Sequence, residues 1–592
     1  MALDSQVQIL SVDTGSFYSN RELYLHKLNH KIRVERNELK PLLKKYETKF
    51  INGGLTKKEI HLIQKGNVDE IECLTSIEKD INEYIRWYDI FKHKGKKAKE
   101  VKDRLLTLLE NKTNANIQSN GKHNIRELRF INEQGDDIIS VFDSSFTRTI
   151  GAKPDELCED FMVVQVYYYS IIKSLIYFGF MYKGEKFIYF TSSAGQIRTK
   201  KTVFIKESVW NKYEKTIMCG LTIDDINKNG GNNPNKHLAY LALVNSATDE
   251  WKEFDIDKTI VVDDFETNVF GTYDLVSDED YSIKRVSDYV PITHTDGAGM
   301  MLPCMGKNRM VRLPWIKGLL GVFDFVKFIQ TNNCSPIIKD IYGDEHNVIE
   351  EDIQIILTKS QFKMYKHYTS WEQYKQYYKQ YNCTAGYTNV EEDRIKDASI
   401  NYQMLQTLTD IADDEILEIA SSSINGLKNI SSSVEDIKWA FGVTPYNLNK
   451  TAFQKSIEIY PDLLNDEYIK SQLREIKDSM IKKFKAGKLR VCGKYTFLLP
   501  DFYAACEYWF MGIDNPQGLL DDGEVFCWLF RKNDRLDCLR SPHLYIEHAV
   551  RNNIACVKYE NRQEQLREWY CTDAIYTSCH DLLSKILQFD DH

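Results

Sequence analysis

The sequence predicts an α+β fold, because helical and β-rich segments follow one another along the chain. Apolar residues recur at three- and four-residue spacing from about residue 18 to 115 and again from about 350 to 490, which is typical of amphipathic helices. From about 120 to 345 and after about 490, short β-rich runs stand between turn residues. Strands interrupted by helices favour an irregular barrel with inserted elements over a parallel α/β sheet.

The first segment, residues 1–120, is predicted to be a helical N-terminal region. One apolar stripe at helical spacing consists of Ile71, Leu74, Ile77, Ile81 and Ile85. Packing of this stripe against other helices is the favoured interpretation, and a nucleic-acid-facing arm is the alternative. The basic run KHKGKKAKEVK, residues 92–102, is interpreted as a solvated helix face or turn.

Three further domains are predicted, at residues 121–345, 346–488 and 489–592. The first of these has β runs in FIYFTSS, KTVFI, HLAYLALVNS, KTIVVDDF, YVPITHT and GLLGVFDFVKFI. The second is predicted to be helical in SQFKMYKHYTSWEQYKQYYKQY and in NYQMLQTLTDIADDEILEIASSSINGL, with a stop signal at residues 421–426 and a serine-to-acid cap opening SSSVEDIKWAFG. The third returns to β character in KYTFLLP and EVFCWLF.

Length and composition exclude several classes of protein. A chain of 592 residues is too long for one core and predicts roughly three to five domains. The apolar fraction of 43% excludes a disordered chain. The sequence contains no run of about 18 apolar residues, so it predicts no membrane span. The N-terminus lacks the pattern of a secretory signal, so an intracellular protein is expected. The 13 cysteines contain no C-x-x-C pair, which favours reduced thiols over zinc ribbons or disulfides.

The charge distribution allows nucleic-acid binding only through local surfaces. The net charge of −9 disfavours nonspecific binding by the whole surface. Basic runs nevertheless occur in IRTKK (197–201), GKNRMVR (306–312) and IKKFKAGKLR (481–490). A local basic channel is therefore compatible with the sequence.

A series of motifs indicates a family. In chain order they are FTSSAGQIRTKKTVFI (190–205), HTDGAGMML (294–302), VRLPWIKGLLGVFDF (311–325), SQFKMY (360–365), NYQMLQTL (401–408), GLLDDGEVFCWLF (518–530), LDCLRSPHLYIEH (536–548) and SKILQFDDH (584–592). They resemble, in the same order, segments of the two-barrel RNA polymerases. That family includes the RNA-dependent RNA polymerases of RNA silencing and the single-chain RNA polymerases of certain phages. The resemblance covers most of residues 185–592 and none of the first 120.

The resemblance implies both a fold and a function. The fold would comprise a helical N-terminal region, a first double-psi β-barrel domain, a helical connector and an incomplete second double-psi β-barrel. The function would be that of the N-terminal portion of a template-directed RNA polymerase, with DNA favoured over RNA as template. The implied partners are the nucleic-acid template, the RNA product, ribonucleoside triphosphates and a separate C-terminal polypeptide that completes the second barrel. No membrane is implied, and the expected location is the cytoplasm of a bacterial host carrying the phage or prophage.

Nucleotidyl transfer requires cations that neutralise the charge spreading over the phosphates, and lysine suits this task as a point charge. The resemblance makes Lys317 the catalytic lysine of the first barrel, and its neighbour Gly318 is expected to let a phosphate approach the backbone. An ordinary strand-end lysine is the alternative. Further substrate-binding candidates are Lys307, Arg309, Arg312 and Arg540, of which Arg312 could instead orient the loop.

The metal site depends on one carboxylate. Two divalent ions about 3.5–4 Å apart serve such reactions, and the family holds its catalytic Mg²⁺ in a D-x-D-G-D loop. By resemblance Asp590 is the first aspartate of that loop and the metal ligand, but Asp591 and His592 do not continue the motif. On this interpretation the chain stops inside the loop and is inactive alone.

Other acidic and histidine residues are given structural interpretations. The Asp263, Asp264 and Glu266 group is interpreted as an acidic strand end, with metal binding as the alternative. Asp296 is interpreted as part of an Asp-Gly turn in which Gly297 and Gly299 have unusual backbone angles. A structural role is likewise favoured for His543, Glu547 and His548 over a metal cluster.

Two alternative functions remain open. One is a non-catalytic nucleic-acid-binding protein derived from such a polymerase. The other, less favoured, is a phage interaction or structural protein whose resemblance is coincidental.

Overall fold

The computed structural model describes residues 5–18, 125–131, 137–154, 156–193, 195–196, 199–393, 395, 397–447, 450–540 and 548–581. The predicted helical stripe of the N-terminal region, its basic run at 92–102 and Asp590 lie outside the described residues. The chain has a mixed α+β fold, as predicted. It divides into a large unit, made of Met1–Ser5, Phe142–Gly151 and Glu214–His592, and a small unit, made of Gln6–Val141 and Ala152–Tyr213.

The described strands and helices alternate along the chain. The strands are β1 Gln6–Asp13, β2 Arg126–Glu127, β3 Ile138–Phe142, β4 Leu157–Gln165, β5 Phe180–Tyr182, β6 Glu185–Thr191, β7 Lys201–Lys206, β8 Asp249–Glu250, β9 Thr259–Val262, β10 Glu266–Val276, β11 Ile283–Thr293, β12 Ala298–Met301, β13 Arg309–Leu313, β14 Ile316–Val322, β15 Ile337–Lys339, β16 Glu345–Asn347, β17 Ile355–Thr358, β18 Gly386–Thr388, β19 Asp397–Ile400, β20 Leu489–Lys494, β21 Leu498–Pro500, β22 Glu524–Cys527, β23 Arg535–Cys538, β24 Ala549–Asn553 and β25 Ile575–Thr577. The α-helices are α1 Ser145–Ile150, α2 Tyr169–Phe178, α3 Glu207–Ile217, α4 Ile223–Lys228, α5 Pro234–Leu241, α6 Phe325–Asn332, α7 Trp371–Gln380, α8 Tyr402–Gln406, α9 Asp413–Asn429, α10 Val434–Ala440, α11 Ala452–Ile459, α12 Glu467–Lys485, α13 Phe502–Met511 and α14 Glu560–Arg567.

The small unit is built on a seven-stranded sheet in the order β2-β5-β6-β7-β4-β1-β3. Its first strand, β1, pairs in parallel with β4, and β4 pairs antiparallel with β7. Helix α2 contributes Ile171, Ile172 and Leu175 to a core with residues of β1, β4, β6 and β7. The predicted β runs FIYFTSS and KTVFI correspond to β6 and β7 and are confirmed.

The large unit contains two main sheets around one apolar core. The first has seven strands in the order β8-β18-β13-β14-β12-β17-β9, and the second has five in the order β21-β25-β22-β24-β23. The core combines Ile260, Met300 and Phe323 from the first sheet region with Phe502 and Tyr576 from the second. The two sheets therefore pack on one shared hydrophobic core.

A long two-stranded ribbon is formed by β10 and β11, which lie in sequence between two strands of the first sheet, β9 and β12. Strands β10 and β11 pair antiparallel over eleven residues each, from Glu266↔Thr293 to Val276↔Ile283. Its exposed side chains include Phe270 and Tyr289, whose rings contact edge to face at 5.2 Å.

A helical region separates the two sheets in sequence, and it contains α8 to α12. Helices α10, α11 and α12 share a small core with Phe441, Ile457 and Ile469. The predicted cap of α10 is confirmed, since the side chain of Ser433 accepts a hydrogen bond from the Asp436 N–H.

Several element predictions were wrong. HLAYLALVNS is helical, because Asn233 caps α5 and Pro234 opens it. GLLGVFDFVKFI is β only as far as Val322, because Asp324 caps α6 through the Lys327 N–H. The helix predicted across SQFKMYKHYTSWEQYKQYYKQY begins only at Trp371, after the Ser370 cap. The stop signal at residues 421–426 lies inside α9, where the buried Ser423 hydroxyl accepts a hydrogen bond from the Arg490 N–H at 2.8 Å.

One buried amide joins three strands of the first sheet. The side chain of Gln361 is fully buried, and its Nε2 donates to the carbonyl oxygens of Gly297 (3.2 Å) and Leu319 (2.9 Å). Its Oε1 accepts a hydrogen bond from the Thr358 N–H at 3.0 Å. The amide thus links the entry to β12, the middle of β14 and the end of β17.

Gly318 leaves room for this amide, which yields a stability prediction. A Cβ at Gly318 would lie 2.1 Å from Gln361 Nε2 and 2.5 Å from the Gly297 carbonyl oxygen. We expect Gly318→Ala to lower the free energy of unfolding by about 1–3 kcal/mol through overpacking, measured by urea unfolding. The control is Gly271→Ala in the exposed ribbon, where a Cβ would meet nothing within 4 Å. Equal stability of the two variants would show that the Gln361 side chain can move aside without cost.

Candidate functional site

The hairpin β13–β14 brings two of the predicted site residues together. Arg312 and Lys317 are direct cross-strand partners, so their side chains project from the same face of the sheet with Cβ atoms about 4.5–5.5 Å apart. The strands are joined by Pro314 and Trp315. Trp315 has a positive φ of 64°, and its buried indole donates to the Met218 carbonyl oxygen at 2.8 Å. This anchored ring holds the tight turn that sets the two cations opposite each other.

Neither of these two cations has a carboxylate partner within the described ranges. Arg312 donates through Nη1 to the Val311 carbonyl oxygen at 2.7 Å, while its Nε is buried without a hydrogen-bond partner. Burial lowers the pKa of Arg312 to about 10. Like charges directly opposed on a sheet repel each other, so an anion placed between Arg312 and Lys317 would relieve this repulsion.

The segment that follows β17 runs beside Lys317. The Lys317 N–H donates to the Gln361 carbonyl oxygen at 3.1 Å, and the Lys363 N–H donates to the Trp315 carbonyl oxygen at 2.9 Å. The Lys363 ammonium donates in turn to the Ser360 carbonyl oxygen. Lys363 was not among the predicted site residues, although it lies within the motif segment SQFKMY.

The acidic residues near this segment serve the protein's own hydrogen bonds. Asp264 accepts from the Ser360 N–H at 2.9 Å and from the Ser360 hydroxyl at 2.6 Å, and burial raises its pKa. Asp263 forms an ion pair with Lys359 at 2.7 Å. These contacts agree with the structural interpretation of the acidic strand end.

The glycines of this region act differently from the expectation. Gly297 has the positive φ of 70° expected in the Asp296 turn, but Gly299 does not have a positive φ. Gly299 is required for close packing instead, because a Cβ there would lie 2.5 Å from the Ile356 carbonyl oxygen. The expectation that Gly318 opens the backbone to a phosphate was wrong, since Gln361 fills that space.

Lys307 and Arg309 are engaged elsewhere. Lys307 forms an ion pair with Asp393. The Arg309 guanidinium donates to the Met305 and Lys307 carbonyl oxygens and lies over the rings of Trp251 (4.7 Å) and Tyr387 (5.1 Å). Since side chains alternate along a strand, Arg309 projects from the face opposite to Arg312.

The C-terminal candidates are partly outside the described residues. Arg540 lies two residues beyond β23 and is partly buried. His543, Glu547 and Asp590 fall in undescribed segments. His548 has a structural environment, with Nδ1 2.8 Å from Asp537 Oδ2 and Nε2 2.9 Å from the Thr407 hydroxyl.

The described residues contain neither a candidate metal cluster nor a membrane-spanning helix. No group of three or more His, Cys, Asp or Glu side chains there could hold a metal ion. Within the same ranges the cysteines are unbridged, and no helix combines the length and apolar character needed to cross a bilayer.

Comparison with known proteins gives one strong similarity. No protein-family model matches the chain. Over 591 of its 592 residues the chain is 43% identical to the DNA-directed RNA polymerase YonO of Bacillus phage SPbeta. The chain is therefore similar, from one end to the other, to a phage DNA-directed RNA polymerase. The family resemblance of the sequence motifs is thereby confirmed, and the chain spans 63% of the length of this relative.

A solved structure is also similar. The RNA-dependent RNA polymerase QDE-1 from Thielavia terrestris matches 81% of this chain and 53% of its own length, with 14% sequence identity and a TM-score of 0.44. At this level the likeness supports no argument about residues or strand arrangement.

A buried amide, that of Asn308, and the half-buried carboxyl of Glu391 hold the turn that carries Lys307. Asn308 is fully buried, its Oδ1 accepts from the Val322 N–H at 2.7 Å, and its Nδ2 donates to Glu391 (3.2 Å) and Thr572 (2.9 Å). Glu391 also accepts from the Asp573 N–H at 2.7 Å. The cluster thus links the first sheet to the segment before β25. Burial raises the pKa of Glu391 to about 6, against a usual value of 4.5.

This raised pKa predicts a pH dependence of stability. Between pH 4.5 and about 6 the folded state binds the proton more tightly than the unfolded state, so stability should fall as pH rises through this window and level off above it. The effect should be less than about 2 kcal/mol because the carboxyl is partly exposed. Urea unfolding across this range should show a smaller fall in Glu391→Gln than in wild type. The same slope in both would remove Glu391 as its cause.

Proposed function

We propose that this chain is part of an RNA polymerase that adds ribonucleotides to an RNA 3′ end on a template. The observation that carries the proposal is the 43% identity along the whole chain to a protein named a DNA-directed RNA polymerase. That relative favours DNA over RNA as the template. The substrates would be ribonucleoside triphosphates, and the partners would be the template and the RNA product.

We place the phosphate contacts at Arg312 and Lys317. Both project from one face of the β13–β14 hairpin, and Arg312 retains an unsatisfied buried Nε. A phosphate between them would accept this hydrogen bond and would offset the repulsion of the two cations. As negative charge spreads over the phosphates in the transition state, the same cations would stabilise it. We include Lys363 among the proposed phosphate contacts because its N–H donates to the Trp315 carbonyl oxygen in the turn of the same hairpin.

The other candidate residues have smaller roles in the proposal. Lys307 would have to leave Asp393 to reach a phosphate, and Arg309 supports the turn from the opposite face. Arg540 remains a candidate contact for a substrate phosphate or sugar. The resemblance of the segment SKILQFDDH to the metal loop of the family makes Asp590, outside the described residues, the proposed ligand of Mg²⁺.

The proposed architecture assigns the two sheets of the large unit to the two barrels. The seven-stranded sheet would be the first double-psi β-barrel, within residues 121–345 and completed by β17 and β18. The helices of residues 346–488 would be the connector, and the five-stranded sheet of residues 489–592 would begin the second barrel. A separate C-terminal polypeptide could complete that barrel.

The test compares charge variants of this chain within a polymerase as long as the phage relative, because the chain alone spans 63% of that length. We expect Lys317→Gln to slow addition of one ribonucleotide to a labelled RNA by about 100-fold or more, because loss of one charge-stabilising donor typically costs this much in kcat. Lys317→Arg, which keeps the charge, should recover part of the rate. The measurement is single-turnover extension on a DNA template with Mg²⁺.

The matched control is Lys339→Gln. Lys339 is exposed, pairs with Glu345 at 3.6 Å and lies outside the proposed site, so its variant should extend RNA at the wild-type rate. If Lys317→Gln has wild-type activity, the alternative interpretation of Lys317 as an ordinary strand-end lysine is correct. A full-length protein that binds nucleic acid but synthesises no RNA would favour the non-catalytic alternative.

A further inference from the structure

Two segments that the sequence singled out separately meet in the helical region. Helix α12 ends at Lys485, within the basic run IKKFKAGKLR, and Gly487 two residues further on has a φ of +72°. A Cβ at Gly487 would lie 3.0 Å from Cβ of Tyr402, which opens α8 within NYQMLQTL. The Tyr402 side chain is 58% exposed. An exposed tyrosine is therefore attached to the backbone directly beside the end of the basic helix.

A second exposed tyrosine lies on the adjoining ribbon. Strands β19 and β20 pair antiparallel, with Ser399 opposite Arg490. Tyr495 follows β20, and its hydroxyl donates back to the Ser399 carbonyl oxygen. The ring is therefore held along the ribbon, and it is 64% exposed.

Exposed cations accompany both rings. Lys485 and Lys488 lie within two residues of Gly487, and Arg490 lies opposite Ser399. In the described part of the chain none of these three forms an ion pair, whereas the nearby Lys494 pairs with Asp397 at 2.7 Å. Stabilisation of a helix C-terminus explains cations in the last helical turn. It does not explain Lys488 and Arg490, which lie beyond the end of α12.

We infer that this basic–aromatic surface, formed by Tyr402, Lys485, Lys488, Arg490 and Tyr495, binds a single-stranded segment of nucleic acid. Its bases would stack on the two tyrosine rings, and its phosphates would contact the three cations. Cations that follow a backbone, combined with aromatic rings as stacking platforms, are the means by which proteins hold unpaired strands. A duplex fits less well, because its bases are already stacked. The inference rests on the proposed function for the origin of the strand, which is the template or the RNA product.

The test measures binding by the whole 592-residue chain without any synthesis. Fluorescence anisotropy would follow fluorescein-labelled single-stranded DNA and, in a second arm, RNA of the same sequence, between about 50 and 200 mM KCl. Lys485→Gln/Lys488→Gln should reduce the slope of log K against log salt by about 1.4, that is about 0.7 for each phosphate that is no longer neutralised. Tyr402→Ala/Tyr495→Ala should weaken binding by about tenfold or more and leave the slope unchanged. The nucleic acid whose binding is weakened more by these substitutions, DNA or RNA, is identified as the strand that this surface binds.

Matched controls carry the same substitutions elsewhere. Lys252→Gln/Lys339→Gln changes two other exposed lysines, and Tyr281→Ala changes an exposed tyrosine in the turn between β10 and β11. The inference is overturned if the surface variants bind as wild type, or if the controls weaken binding equally. Such a result would leave the polymerase proposal standing if the full-length enzyme synthesises RNA. Conversely, binding that depends on this surface in a full-length protein without synthesis would overturn only the polymerase proposal.

Discussion

The large unit depends on one buried polar side chain, that of Gln361. An amide without its partners inside a protein costs about 1–3 kcal/mol, and this one has all the partners it needs from β12, β14 and β17. Its position explains why glycine stands at 299 and 318, where any side chain would collide with the amide or the neighbouring backbone. It also fixes the register of β14, and through that register the place of Lys317.

The charged residues around this hairpin fall into two groups with opposite physical behaviour. Arg309 is satisfied by two carbonyl oxygens and two aromatic rings, so its burial contributes to folding. Arg312 is three residues further along the same strand, yet it keeps a buried donor without an acceptor. Buried donors of this kind are rare in folded proteins. The contrast supports the proposal that Arg309 holds the turn while Arg312 contacts a substrate phosphate.

Local sequence patterns predicted some parts of this structure and could not predict others. Strands β6 and β7 and the cap at Ser433 were predictable because each is decided by neighbours within a few residues. The helix at HLAYLALVNS was missed because its apolar run resembles a strand, and the Asn233–Pro234 start was not weighed against it. The position of Lys317 opposite Arg312 requires the hairpin register. The hydrogen bond from the Gln361 side chain to the Gly297 carbonyl oxygen joins residues about sixty positions apart. No local sequence pattern reveals such a contact.

The topology of the small unit also bears on how the protein emerges from the ribosome. Strand β1 pairs with β4, and its side chains Ile9, Leu10 and Val12 are fully buried in the finished sheet. About 125 residues separate β1 from its neighbour β3 and about 140 separate it from β4, so at 5–20 residues per second β1 waits roughly 6–25 s for its first partner. During that interval an apolar strand edge is open to other chains. We therefore expect the nascent chain to need protection of β1 until its sheet neighbours have been synthesised.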